Sequence, residues 1–198
     1  ATVTGAVVFT YFNLDLPKIE KLQDYKPNLA SQIYSKDGYL LAELGLEKRE
    51  IVEMKDVPAR VIDAFLAAED DKFFEHKGVD YLGLARAMFA NFRAGKVVQG
   101  GSTITQQVAK SLLLTSERSI TRKVKDFILA QRIEEKLNKK EILYLYLNQV
   151  YLGGGYYGVK AAAHGYYNKE LKDISVAEAA MLAGLLVAPG KYSPSVKP

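Results

Sequence analysis

Residues 67–78 read AAEDDKFFEHKG and close a segment, 57–66, with the apolar spacing of an amphipathic helix. The window 63–75 holds five acids, Asp63, Glu69, Asp70, Asp71 and Glu75, the last four beside Phe73 and Phe74. Ile62, Phe65, Leu66, Glu69 and Phe73 recur at 3, 1, 3 and 4 residues and so share one helical face. Glu69 therefore falls on the apolar stripe. A carboxylate there loses hydration, its pKa rises, and it suits a general base. The same residue at a frayed helix end would be an ordinary solvated acid, and spacing alone leaves both readings open. Asp70 points about 100° away, toward neighbours or solvent. His76 lies past the expected helix end and could be purely structural. Only one other histidine, His164, and no cysteine occur, so a Cys centre is excluded and a His centre has too few ligands.

A second polar stretch, QGGSTITQQVAKSLLL, covers 99–114. Gly100 and Gly101 let backbone approach a ligand, Ser102 is expected as an N-cap, and an open helix N-terminus favours anions. Thr103, Gln107 and Lys110 fall on one face, with Gln106 beside Gln107, while Ile104, Val108 and Leu112 fall on another. The loop lacks the Gly-Lys-Ser/Thr ending of a nucleotide-binding P-loop. A third stretch, 116–137, brings Arg118, Arg122, Lys123 and Lys125 onto a helix with Val124, Phe127, Ile128 and Leu137 as its core face. Lys123 and Asp126 are i, i+3 neighbours there. Each polar helix alone also fits a solvated surface. Together they offer carboxylates at Glu69 and Asp126 and cations at Lys110, Arg118, Arg122 and Lys123. A glycosidase must protonate its leaving oxygen. A diphosphate leaves without that help when cations neutralise it. A base plus a phosphate clamp therefore suits a glycosyltransferase with a diphosphate leaving group.

These residues need elements to hold them. Asp37-Gly38 between short apolar runs predicts a β-hairpin. Helices are expected from an Asp56 cap and Pro58 to about Asp71, and from Asp80 to near Gly95. Further helices should open at Ser102, run from about Arg122 to Leu137, and follow the capping pattern Asn138/Glu141 to Tyr151. The glycines of LGGGYYG break that helix, and Ser175/Glu178 opens another that stops before Pro189-Gly190. The fold class is mainly α with a small β element near the start. The 198 residues suffice for one domain with a real core, 48% apolar and 25% charged. A net charge of +4 allows an anionic partner, but no zinc spacing or ribonucleoprotein motif points to nucleic acid. The apolar run GAVVFTYF (5–12) is too short to span a bilayer, which takes roughly 20 residues, and reads as a buried strand or the end of a membrane helix.

Five ordered motifs resemble the peptidoglycan glycosyltransferase domain, family 51, of class A penicillin-binding proteins and monofunctional transglycosylases. EDDKFFEHKG is similar to E-D-x-x-F-x-x-H-x-G at Glu69, Asp70, Phe73, His76 and Gly78. GGSTITQQ resembles the second motif, RKVKD the third, KKEILYLYLNQVYLGGGYYGVKAAA the fourth and LLVAPGKYSP the closing segment. The resemblance implies a lysozyme-like, two-lobed helical fold. It implies a membrane-facing jaw at about 80–100, and a glycosyltransferase domain over 13–198 preceded by a transmembrane helix, with 1–12 as its outer stub. It implies polymerisation of lipid II by transfer of the growing lipid-linked glycan, with inversion from α to β-1,4.

Carried over by position, Glu69 resembles the general base that deprotonates the acceptor 4-hydroxyl. Lys110, Arg118 and Lys123 resemble binders of the donor diphosphate, and Ser102 and Gln107 the donor-site lining where moenomycin binds. Asp70, Phe73, His76, Thr103, Gln106, Arg122 and Asn148 complete the implied substrate site. Asp126 stands where the family has Glu, one methylene shorter. It could orient Lys123, hold charge near the sugar, or bind a divalent ion, Mg or Mn, on the diphosphate; no cofactor is obligatory. Asn168 stands where the family favours Gly in Tyr-Phe-Gly-Lys, and Asn tolerates the left-handed turn. Implied partners are lipid II, the phospholipid membrane, moenomycin, a C-terminal transpeptidase domain and other cell-wall proteins, on the outer face of a bacterial cytoplasmic membrane. Two rivals stand beside this reading. A lytic transglycosylase or muramidase would need no diphosphate clamp, and a catalytically weak membrane-proximal module would bind moenomycin without turnover.

Overall fold

A computed structural model describes residues 16, 17, 19, 22, 25, 31–45, 47–114 and 119–194. The stub at 1–12 and Arg118 lie outside the described residues. The chain is mainly helical, as its periodicities predict, and it divides into two compact units. Glu69–Leu143 belongs to the first; Lys26–Ala68 and Tyr144–Pro198 form the second.

In the first unit, helix α1 (Ala59–Glu69) contributes only its last residue. Its first turn is organised by Pro58, whose carbonyl accepts from Val61 and Ile62 N–H at 2.9 and 3.3 Å. Asp56 is not its cap: it ends a 3-10 turn, Met54–Asp56, and α1 stops two residues short of the expected Asp71. Helix α2 (Tyr81–Ala94) is capped by Asp80, which accepts from Gly83 N–H at 2.9 Å, and closed by a left-handed Gly95. Helix α3 (Ile104–Leu113) starts one residue later than Ser102 predicts. Its N-cap is Thr103, in a reciprocal capping box with Gln106. The box satisfies two orphan donors, the N–H groups of Thr103 and Gln106, which Ser102 could not do. Helix α4 (Ile120–Lys136) is capped by Ser119, and α5 (Lys139–Gln149) by Asn138 with Glu141.

The core of this unit joins Phe73, Ile104, Val108, Leu129, Ile133 and Ile142, all fully buried. Gly78 sets how closely the first motif meets α4. Its φ is +84°, and a Cβ there would sit 2.7 Å from the Ala130 carbonyl oxygen. Any other residue would both strain the backbone and push the helix away.

In the second unit, β1 (Ser31–Tyr34) and β2 (Leu40–Leu44) form the antiparallel hairpin, turning at Gly38. A two-residue parallel pair, β3 (Lys48–Arg49) with β4 (Tyr156–Tyr157), lies beside the glycine segment. Phe65 meets Tyr146 edge-on, with 6.4 Å between centroids. Helix α6 (Val159–Tyr167) closes on Asn168 in the left-handed conformation (φ 51°, ψ 42°), so the Gly-to-Asn departure leaves the turn intact. Helix α7 (Val176–Gly184) carries the Ser175/Glu178 capping box. Pro189 does more than follow a helix stop: it opens a short helix, α8 (Pro189–Tyr192), after a 3-10 turn.

Candidate active site

Glu69 ends α1 half-buried, and the Gln107 side-chain amide donates to its Oε2. Burial lifts the Glu69 carboxyl above its ordinary pKa. The Gln107 hydrogen bond opposes that rise, and the charge of Asp70 adds to it. The adjacent acid does different work. Asp70 is buried, accepts from His76 Nε2 at 2.9 and 3.1 Å, and accepts from Ile104 N–H at 3.0 Å. It thus ties the end of α1 to the first turn of α3, the helix that carries Gln107. A cleft beside Glu69 is lined by Asp71, Asp80, Arg86, Gly101 and Ser102.

Ser102 links this cleft to the basic helix. Lys123 Nζ donates to Ser102 Oγ at 2.8 Å and stands 3.9 Å from Asp126 Oδ2. The Lys123 pKa is lowered, first by burial, against the pull of Asp126, and further by the charges of Arg122 and Lys110. Three cations therefore crowd one another, an arrangement that an anionic ligand would relieve. Asp126 is buried, and burial raises its pKa against the opposing pull of the same three cations. Its Oδ1 and the Nε of Arg122 have no hydrogen-bond partner. An orphaned carboxylate oxygen could serve a metal. Among the described residues, however, no group of three acids or histidines gathers to hold one. The described residues alone do not make a metal centre.

The first unit thus brings together Glu69, Ser102, Gln107, Lys110, Arg122, Lys123 and Asp126. Other expected ligand residues are turned inward. Phe73 is fully buried beneath the Lys139 ammonium, 4.3 Å from its ring centroid. Thr103 and Gln106 are buried in the capping box, and Thr103 Oγ1 donates to the Gly78 carbonyl at 2.6 Å. Asn148 lies in the second unit, where its amide pairs with both Val52 backbone groups and the Tyr144 carbonyl at 2.9–3.0 Å. There it anchors the 52 segment, and Arg49 Nη1 donates to its carbonyl at 2.6 Å. Thr-x-x-Gln at 103–106 is a capping-box signature and was legible in sequence. The Arg49 contact joins residues 99 apart and had no local signal.

The family model described as Transglycosylase matches residues 37–198. The chain belongs to the transglycosylase family. This transglycosylase domain is 50% identical over 193 residues to penicillin-binding protein 1A of Neisseria flavescens, covering 98% of the chain and 24% of that protein. It is 47% identical over 201 residues to penicillin-binding protein 1A of Aquifex aeolicus, covering 100% of the chain and 27% of that protein. A crystal structure of penicillin-binding protein 1A from Haemophilus influenzae is 30% identical, with a TM-score of 0.45, over 86% of this chain and 16% of that one. The domain spans about a quarter of the length of the relatives it matches.

Proposed function

We propose that this domain is a peptidoglycan glycosyltransferase that polymerises lipid II into β-1,4-linked glycan, with inversion and release of the lipid diphosphate. The observation that carries the reading is Ser102. It lines the Glu69 cleft and accepts a hydrogen bond from Lys123, so the base and the cation group serve one ligand. Ionised Glu69 takes the proton of the acceptor 4-hydroxyl while Gln107 steadies the carboxylate. Lys123, Lys110 and Arg122 neutralise the departing diphosphate, a role the sequence resemblance extends to Arg118. Asp126 holds Lys123 and keeps negative charge near the sugar. Moenomycin, which also presents phosphate oxygens, competes for the same cations.

The substrate's lipid tail fits the surface of α2. Leu82, Met88, Phe89 and Phe92 are exposed there, followed by Val97 and Val98, with Arg86, Arg93 and Lys96 among them. Such a face can lie in a bilayer interface with its cations on anionic headgroups. Among the described residues no helix is long and apolar enough to cross a membrane. We assign the domain to the outer face of the cytoplasmic membrane. Incubating the domain with lipid II and resolving products on a gel tests the activity. Polymer is expected, and release of soluble muropeptides from sacculi, without polymer, would favour the lytic rival. Flotation with anionic liposomes tests the surface; protein remaining at the bottom refutes it.

A further inference from the structure

Behind the site, one carboxylate oxygen joins three elements. Glu134 on α4 is nine-tenths buried, and its Oε1 accepts from Thr105 Oγ1 at 2.6 Å and from Lys139 Nζ at 2.7 Å. Thr105 is on α3 and fully buried; Lys139 opens α5. The Lys139 ammonium also lies over the Phe73 ring at 4.3 Å. Phe73 N–H donates to the Asp70 carbonyl at 3.0 Å, so that ring is fastened to the segment leaving Glu69. Thr105 and Gln107 are two residues apart on α3, hence on nearly opposite faces. One faces Glu134, the other Glu69.

We infer that Glu134, with Lys139, is a positioning residue that keeps the Gln107 amide against the Glu69 carboxylate. This rests on the reading of Glu69 as the base. Two parts of the molecule must stay in register for that hydrogen bond: α3, which carries the donor, and the 69–73 segment, which carries the acceptor. Glu134 holds the first through Thr105 and the second through Lys139 and Phe73. Nothing in the pair touches the cleft.

The consequence is a protonation effect at a distance. The Gln107 hydrogen bond stabilises ionised Glu69 and opposes the rise caused by burial. If α3 relaxes when Glu134 is lost, that support weakens and Glu69 binds its proton more tightly. Among the described residues the other charges near Glu69 are Asp70 beside it, Asp71, Asp80 and Arg86 around the cleft, and Lys123, which donates to Ser102 of its lining. None of them contacts Glu134, whose own charged neighbour is Lys139.

The test is the pH profile of kcat/KM for lipid II polymerisation by Thr105→Val, Glu134→Ala, Glu134→Gln and Gln107→Ala. The acidic limb should move up by roughly half a pH unit or more in Thr105→Val, Glu134→Ala and Gln107→Ala. In Thr105→Val and Glu134→Ala, kcat near neutrality should fall by roughly threefold at most and no further than in Gln107→Ala, because both act through that amide. KM should stay within about twofold, since uniform binding is untouched. Glu134→Gln, whose amide oxygen can still accept from Thr105, should restore the limb. A merely structural pair would lower Tm and leave the limb where it was, and that result overturns the inference. If Glu134→Ala does not fold, the isosteric Thr105→Val decides the matter. Glu69→Gln run alongside separates the two failures. If it polymerises like the parent, the base reading has failed; if it is inactive and the limb is fixed, only the positioning role has.

Discussion

The surroundings of Glu69 and of Asp126 differ in every respect except one. Burial raises both pKa values. Glu69 is half-buried, opens on a cleft, and is steadied by a neutral amide, with no ion pair among the described residues. Asp126 is buried, has one oxygen without a hydrogen bond, and faces three cations, the nearest ammonium at 3.9 Å. A base must gain a proton during the reaction, and an adjacent cation would lower its basicity. A cation-holding acid must keep its charge. On the proposed reading the same desolvation serves two roles, and the partner, amide or ammonium, decides which.

The largest effect should come from Glu69→Gln. Losing the proposed base should lower polymerisation by about 10²–10⁴-fold or more, while moenomycin binding, proposed to use the cations, should persist. Lipid II turnover and moenomycin titration check the two halves; activity within tenfold of the parent would end the assignment.

Asp126→Asn should cost on the order of 10²-fold in turnover, because the cation group loses its anchor. Its stability should move the opposite way. A carboxyl whose folded pKa is raised contributes stability at pH below its unfolded value, and that contribution is lost as pH rises through the folded value. At neutral pH the ionised, buried Asp126 is therefore a burden, and the Asn variant should show a higher Tm and a flatter pH dependence. An equal drop in both activity and Tm would mean that Asp126 is only structural. Asp126→Glu, which restores the family's longer acid and can close the 3.9 Å gap to Lys123, should raise turnover.

Lys123→Ala should weaken turnover and moenomycin binding together, by about tenfold. That is the low end for a charge-assisted bond, because half of the side chain is exposed and solvent screens it. Unchanged affinity would make Lys123 a surface lysine. Gln107→Ala should have the smallest effect at neutral pH. It removes the hydrogen bond that lowers the Glu69 pKa, so the acidic limb of the rate profile moves to higher pH. A limb that stays put would show that Gln107 does not steady the base.

Much of this was legible in sequence because local rules act on adjacent residues. The 3-1-3-4 spacing put Glu69 one turn beyond buried Phe65, where it is half-buried, and the caps at Asp80, Asn138 and Ser175 lie where their signatures fall. Ser102, after two glycines, fits the simple cap pattern, although Thr103 and Gln106 satisfy the stricter reciprocal one and form the cap. What stayed hidden was long-range. Asp70 bonds to Ile104, 34 residues on, and Thr105 to Glu134, 29 residues on. Phe73 looked like a ligand residue because it sits in a motif, yet Lys139 covers it. A motif marks what a site needs, and only packing separates the groups that touch the ligand from those that hold the groups that do.

The stereochemistry of the new glycosidic bond tests the central claim most directly. A base on the acceptor and cations on a departing diphosphate make a single displacement, which must invert the anomeric centre. NMR of polymer made by the purified domain from α-linked lipid II should show β-1,4 linkages. Retained α linkages would require a covalent intermediate and a nucleophile where Glu69 has been placed as a base, and would contradict the account.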